Sequence, residues 1–306
     1  MRPLRLLVAL ATLCAFAGGS ALPARAASGP LADLQRHLSA LSARAPGNVG
    51  VMVEDVQTGL STGINPGANM PAASTIKIPV MVEVFRQMAQ GAFDLNRRLT
   101  LLSGDRDWGS GDLAGARGGS QYAVSRLLTL MITESDNTAT NMLIRLVGRA
   151  HINMTMRALG LRQTVVGDYI RSAGDIRSLR SSPQDMTNLL ADMVRETLVD
   201  EWSSRAMIQI LSGQRHNSLL PEPLPPGTTI AHKTGTLHDT LNDVGIVYAG
   251  DEPYIISVMT THLSSLEAGR RFIRGVSLLA YEALAPLASW RARGAPAVAP
   301  DVQMWT

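Results

Sequence analysis

Extended segments fall only near the two ends of this chain, with a long block of helical periodicity between them. The alternation of Val49, Val51 and Val53, and a second segment over 60–64 beyond the Thr58-Gly59 turn, predict an early hairpin. Three further extended segments follow Pro225-Pro226-Gly227, at 228–234, 244–249 and 254–261. Between the two groups the spacing predicts helices at about 75–90, 120–133, 138–147, 151–159, 184–197 and 201–212. A helix over 31–43, apolar at Leu34, Leu38 and Leu41, precedes the hairpin, and one over 266–285, apolar at Phe272, Ile273, Val276, Leu279, Ala280 and Leu284, closes the domain. Early and late strands can then pair in one sheet, with the terminal helices over one face, which makes the class α+β with a helical insertion. Residues 286–306, rich in Ala, Pro and Arg, are expected to form a loose tail.

Where this chain needs a positive charge it uses arginine: of 28 Lys and Arg residues only two are lysine, Lys77 and Lys233. Arginine keeps its proton in a protein, whereas a buried lysine can become a neutral base. Lys77 ends Ser74-Thr75-Ile76-Lys77 at the expected start of a helix, where positions i and i+3 share a face. A neutral amine there can take the proton of the Ser74 hydroxyl, giving a nucleophile with its own base. Apolar Ile78, Val80, Met81 and Val84 predict that this helix is largely buried, which lowers the pKa of Lys77. Taken alone, the pattern also fits a Ser N-cap followed by an ordinary surface lysine.

The other lysine opens Lys233-Thr234-Gly235, and between the two lies Ser135-Asp136-Asn137, placed where the helix of Val124, Leu127, Leu128, Met131 and Ile132 should end. S-x-x-K, S-D-N and K-T-G in this order, 61 and then 98 residues apart, resemble the signature of the serine β-lactamases and penicillin-binding proteins, class A branch. The resemblance runs from about residue 31 to 284. It implies a five-stranded antiparallel sheet flanked by terminal helices, an all-helical lobe, and an active site in the groove between them.

By this resemblance Ser74 attacks the lactam carbonyl, Lys77 accepts its proton, and Ser135 relays a proton to the departing nitrogen. The backbone N–H groups of Ser74 and Thr236 would hold the oxyanion. Asn137 would bind the substrate amide and Lys77, while Asp136 holds the turn. The strand Lys233-Thr234-Gly235-Thr236 would line the substrate, with Lys233, Thr234 and Thr236 on its carboxylate. Many relatives add an arginine on the next strand, which here reads Asn242-Asp243-Val244-Gly245 and has none; the carboxylate is then bound more weakly or by Arg215. Trp108, the one aromatic in the Gly-, Asp- and Ser-rich stretch 101–121, either walls the groove or caps a helix. His232 and His238 are expected to be packing or surface residues rather than catalysts.

The first 26 residues read as an export signal: Arg2 and Arg5, an apolar run over 6–17, then Ala24-Arg25-Ala26 as a cleavage site. The run is shorter than the roughly 20 residues that span a bilayer, so no stable membrane anchor is expected. Cys14, the only cysteine, lies inside it after Leu13, where lipid attachment would want a small residue. Removing the signal takes Arg2, Arg5 and Arg25 and no acid, leaving 25 basic against 25 acidic residues. A near-neutral chain without a basic stripe argues against a nucleic-acid partner. Six scattered histidines and no remaining thiolate argue against a metal, and no cofactor is expected. The partner is a small molecule, a β-lactam or an acyl-D-Ala-D-Ala-like peptide, and the mature protein is expected to be a secreted or periplasmic monomer.

One part of the class A pattern is missing. Relatives hydrolyse the acyl-enzyme with a water activated by a loop glutamate, yet residues 162–182 contain none. Their only carboxylates are Asp168 and Asp175, each one methylene shorter, whereas a general base needs its oxygen about 3 Å from the water. Asp168 fits equally a turn after Gly167, and Asp175 a cap or an ion-pair partner of Arg171 or Arg177. Three readings follow: a β-lactamase with slow deacylation, a D-alanyl-D-alanine carboxypeptidase or esterase with the same acylation site, and a penicillin-binding acyl trap or sensor.

Overall fold

The computed structural model describes residues 29–172, 178–250 and 252–292. The expected export signal, the last 14 residues and Asp175 therefore lie outside the described residues.

Five strands form the main sheet: β1 (Asn48–Asp55), β2 (Ser61–Ile64), β3 (Thr229–Thr236), β4 (Leu241–Tyr248) and β5 (Pro253–Thr261). Their order is β2-β1-β5-β4-β3, antiparallel throughout, so the early hairpin joins the late strands through the β1–β5 pair. In β5 the side chains alternate: Tyr254, Ile256 and Val258 pack with Leu34 and Leu38 of α1 (Pro30–Ser42) and with Phe272, Ile273 and Val276 of α8 (Leu266–Ala292). Ile255 and Met259 face the opposite way, into the core shared with the helical lobe. The sheet is thus covered on both faces, and residues 254–261 of β5 are buried.

The lobe consists of α2 (Lys77–Ala89), α3 (Val124–Thr133), α4 (Asn137–Val147), α5 (Arg149–Ala158), α6 (Pro183–Val194) and α7 (Glu201–Ser212). Local chemistry sets several of its boundaries. Ser182, Asp200 and Asp136 each cap a helix by accepting a backbone N–H three residues on, and Pro183 occupies the first turn of α6. α2 is wholly buried from Lys77 to Phe85.

Four expectations need correction. The nucleophile segment enters α2 through a 3-10 turn, Ala73–Ile76, instead of starting a helix at Thr75. α8 continues through Pro286 to Ala292, so the expected boundary at 285 falls inside a helix. β4 begins at Leu241, three residues earlier than expected, because Asn242 and Asp243 are buried strand residues. Residues 121–123 pair with Arg98–Thr100 before α3 begins, and a three-stranded ribbon joins Met70–Pro71, Leu179–Ser181 and Val165–Val166. Among the described residues no helix is long and apolar enough to cross a membrane.

Candidate active site

Ser74 lies in the 3-10 turn that leads into α2, directly after Ala73, whose φ of 48° is rare for a residue with a side chain. The K-T-G strand meets this turn edge-on. A Cβ on Gly235 would stand 3.0 Å from Ala72 O, Ala73 Cβ and Ser74 N, so glycine lets β3 approach Ser74 closely. Asn242, on the neighbouring strand, holds the same turn from below by donating to Pro71 O at 2.9 Å and Ala72 O at 3.1 Å.

Lys77 begins α2 and is fully buried. Its Nζ donates to Ser135 O at 2.6 Å, Ser135 Oγ at 3.0 Å and Asn137 Oδ1 at 2.7 Å, three acceptors for the three donors of an ammonium. Ser135, at the α3–α4 turn, holds a left-handed φ of 55°, the conformation in which both its carbonyl and its hydroxyl reach the amine. Burial pushes the Lys77 pKa well below the ordinary lysine value, repulsion from Lys233 adds to this, and Asp136 and Asp107 oppose it. The shift favours the neutral amine, the form that a proton acceptor requires. Asp136 itself holds the turn, Oδ1 accepting from Ala139 N at 2.7 Å and Oδ2 from Leu113 N at 2.9 Å.

A cavity of about 640 Å³ gathers Ser74, Ser135, Asn137, Thr234 and Thr236 on its wall. Behind it Lys233 is fully buried and donates to Thr234 O at 2.9 Å. Burial lowers its pKa to about 7, against the opposing pull of Asp243. His232 is buried between Asp243 Oδ1 at 2.9 Å and Asn217 Oδ1 at 3.0 Å, while His238 stands on the exposed rim. His216 also lines the cavity, its pKa lowered by burial and then by Lys233.

Two expected contributors are placed away from the cavity wall. Trp108 is 75% exposed and outside the cavity wall, which Gly109 and Ser110 form beside it; it caps no helix either. Arg215 is turned to an ion pair with Glu134 at 2.5 Å, and the arginines on the wall are Arg171 and, from α8, Arg270. Asp168 lies on the wall but is 58% exposed in its side chain and pairs with Arg149 at 3.5 Å. Ile170 of the loop is held against the cavity by its backbone, whose N donates to Asn141 Oδ1 at 2.8 Å and whose carbonyl accepts from Asn141 Nδ2 at 3.0 Å.

Sequence reasoning missed His216, Arg270, the Asn141 clamp and above all Asp107, whose carboxylate touches Asn137. Only its place beside Trp108 in a polar loop marked it, and that signal is shared by every acid of the stretch. Among the described residues no cluster of three His, Cys, Asp or Glu side chains is arranged to hold a metal.

A family model described as the β-lactamase enzyme family matches residues 33–284. Among solved structures the chain is similar to PBP-A, at 32% identity and TM-score 0.76 over 83% of this chain and 96% of that one; a mutant of the same protein, in an acyl-enzyme complex with penicillin G, matches at 31%, TM-score 0.77 and the same coverage. Among curated proteins it is similar to a β-lactamase of Streptomyces albus G, 25% identical over 76% of this chain and 78% of the relative. The chain belongs to the β-lactamase enzyme family, within the superfamily of serine β-lactamases and penicillin-binding proteins.

Proposed function

We propose that this protein is an exported serine hydrolase that opens β-lactam rings by acylating Ser74 and clears the acyl-enzyme slowly. Ser74 Oγ attacks the lactam carbonyl and its proton passes to neutral Lys77. The oxyanion collapses, the C–N bond breaks, and the nitrogen leaves with a proton delivered through Ser135, whose hydroxyl already contacts Lys77. The N–H groups of Ser74 and Thr236 serve the oxyanion. Thr234, Thr236 and charged Lys233 receive the substrate carboxylate, and Asn137 the side-chain amide.

The observation that carries this reading is an asymmetry in the cavity. Its acylating side gathers the proposed nucleophile on the wall, a buried amine of lowered pKa and a hydroxyl that contacts that amine. Its loop side, among the described residues, offers apolar Ile170 and an Asp168 already paired with Arg149. Among the described residues, a water above the ester would have no well-placed base. The likeness to PBP-A, one mutant of which is described as an acyl-enzyme complex with penicillin G, supports the acyl-trap form of the reading, in which the adduct itself is the product.

Residues 1–26 are the proposed export signal, and the hydrolase domain begins at about residue 31 and, with α8 running to Ala292, extends past the expected boundary at 285. Parallel assays on a chromogenic cephalosporin, a D-Ala-D-Ala peptide and a p-nitrophenyl ester test the substrate class. The expected result is Ser74 labelling by the lactam at a rate exceeding peptide cleavage. Faster turnover of the peptide would favour a carboxypeptidase, and labelling that persists in Ser74→Ala would remove the nucleophile.

A further inference from the structure

The carboxylate of Asp107 is the most heavily used polar group beside the site, and the acylation steps above leave it without a role. It is 7% exposed. Oδ1 accepts from Asn137 Nδ2 at 2.7 Å, from Ser172 Oγ at 2.5 Å and from Gly109 N at 3.0 Å, and Oδ2 accepts from Ser172 N at 2.7 Å. Its backbone is fixed as well: the Asp107 N donates to Thr138 Oγ1 at 3.1 Å, and that hydroxyl lies 3.2 Å from Asp107 O. Gly109 completes the contact, since a Cβ there would overlap Ser172 Oγ.

These bonds decide how Asn137 points. An asparagine amide has an acceptor end and a donor end of nearly equal size, and only its neighbours choose between them. A carboxylate accepts and an ammonium donates, so with Asp107 on one side and Lys77 on the other the nitrogen faces Asp107 and the oxygen faces Lys77. Reversed, the amide would set its NH2 against the lysine and its oxygen against the carboxylate, repulsive on both sides. The same anion grips Ser172, which stands on the cavity wall with Ile170. General-base work by Asp107 is disfavoured: burial raises its pKa, but the hydrogen bonds from Ser172, Asn137 and Gly109 more than offset this and hold it below the ordinary carboxylate range.

We infer that Asp107 is a positioning residue for acylation of Ser74: it sets the Asn137 amide with its oxygen on Lys77 and ties that amide to Ser172, so that the proton acceptor and the loop wall are held by one anion. The inference rests on the acylation reading above. The charged groups facing Lys77 are Lys233, which favours its neutral form, and Asp136 and Asp107, which favour its charged form.

The test uses the purified protein and benzylpenicillin, with the rate of Ser74 acylation followed by intact mass across pH. Parental protein that takes no penicillin sinks the acylation reading, and this is seen before any variant is compared. With the parent active, Asp107→Asn should slow acylation by about 10- to 100-fold at neutral pH, as expected when a catalytic group is displaced by a fraction of an ångström. Its acid limb should also move to lower pH, because an anion favouring charged Lys77 is gone while Asp136 and Lys233 remain. Acylation at the parental rate, or slower acylation with the limb in place, overturns the inference; the second outcome is what a purely structural carboxylate would give. Should Asp107→Asn fail to fold, Ser172→Ala decides. The inference then requires faster amide exchange at 137–141 as well as at 170–172, together with slower acylation, and any other combination overturns it.

Discussion

Lysine and arginine differ most where a proton must leave, and the roles proposed for the two lysines of this chain make opposite demands. Lys77 has to be neutral, so Lys77→Arg is expected to lower the acylation rate by about 1,000-fold or more. Lys233 has only to be positive, and Lys233→Arg should keep activity within about 100-fold of the parent, the loss falling mainly on KM. The two also differ in pH dependence. Lys233, with its pKa lowered to about 7, is charged below that pH and loses its charge as pH rises through it, so kcat/KM for an anionic substrate should decline on the alkaline side. Arginine at 233 should abolish that alkaline limb while the acid limb set by Lys77 stays. A parental profile flat between pH 6 and about 9 would remove the assigned role of Lys233. Both lysines were legible in the sequence because each sits in a short motif and because scarcity singled them out. Asp107 was not, since its importance lies in partners 30 and 65 positions along the chain.

At the scale of elements, long helices and central strands declare themselves by local periodicity, and most were legible to within a few residues. What escaped depends on contacts between distant segments. β4, expected from Val244, starts at Leu241 and takes in Asn242 and Asp243. Both are buried because each joins distant segments: Asn242 bonds the nucleophile turn and Thr260 N, and Asp243 bonds His232 and Leu220 N. The two- and three-residue ribbons carry no period at all. Two predictions belong at this scale. Gly235→Ala should crowd the nucleophile turn, with a stability loss of about 1–3 kcal/mol in chemical denaturation and slower acylation. Ile170→Glu would put a carboxylate on the cavity wall from a backbone that Asn141 clamps on both sides. Release of the acyl group is expected to accelerate by about 10-fold or more with acylation little changed, measured as adduct decay, and an unchanged decay would mean that a base is not what the loop lacks.

For the whole molecule, the sheet carries two cores, and the groove lies where the lobe meets the edge strand β3. The lobe is tied together by Glu83 of α2, which receives Arg86 at 2.6 Å, Gln87 at 2.6 Å and, from α5, Thr155 at 2.7 Å. Burial alone would raise its pKa, but the bonds from Arg86, Thr155 and Gln87 outweigh burial and hold it below the usual value. A carboxyl depressed in this way contributes stability that is present above its unfolded pKa, about 4.3, and is lost as pH falls through the folded value. Glu83→Gln should therefore cost about 1–3 kcal/mol at neutral pH and make thermal stability less sensitive to acid, read from Tm between pH 7 and about 3. The pairing of early with late strands and the helical insertion followed from strands placed at both ends of the chain, whereas the placement of Trp108 and Arg215 away from the cavity depends on loop packing that no local pattern encodes.

The central claim is that this cavity acylates readily and releases slowly, and intact mass spectrometry after mixing with benzylpenicillin tests it most directly. Spectra taken within seconds and again after an hour should both show one adduct, mapped by peptide digestion to Ser74 and absent from Ser74→Ala. An adduct already cleared in the first spectra, with turnover of about ten per second or more, would contradict the account and turn attention to Asp168→Ala and Asp175→Ala.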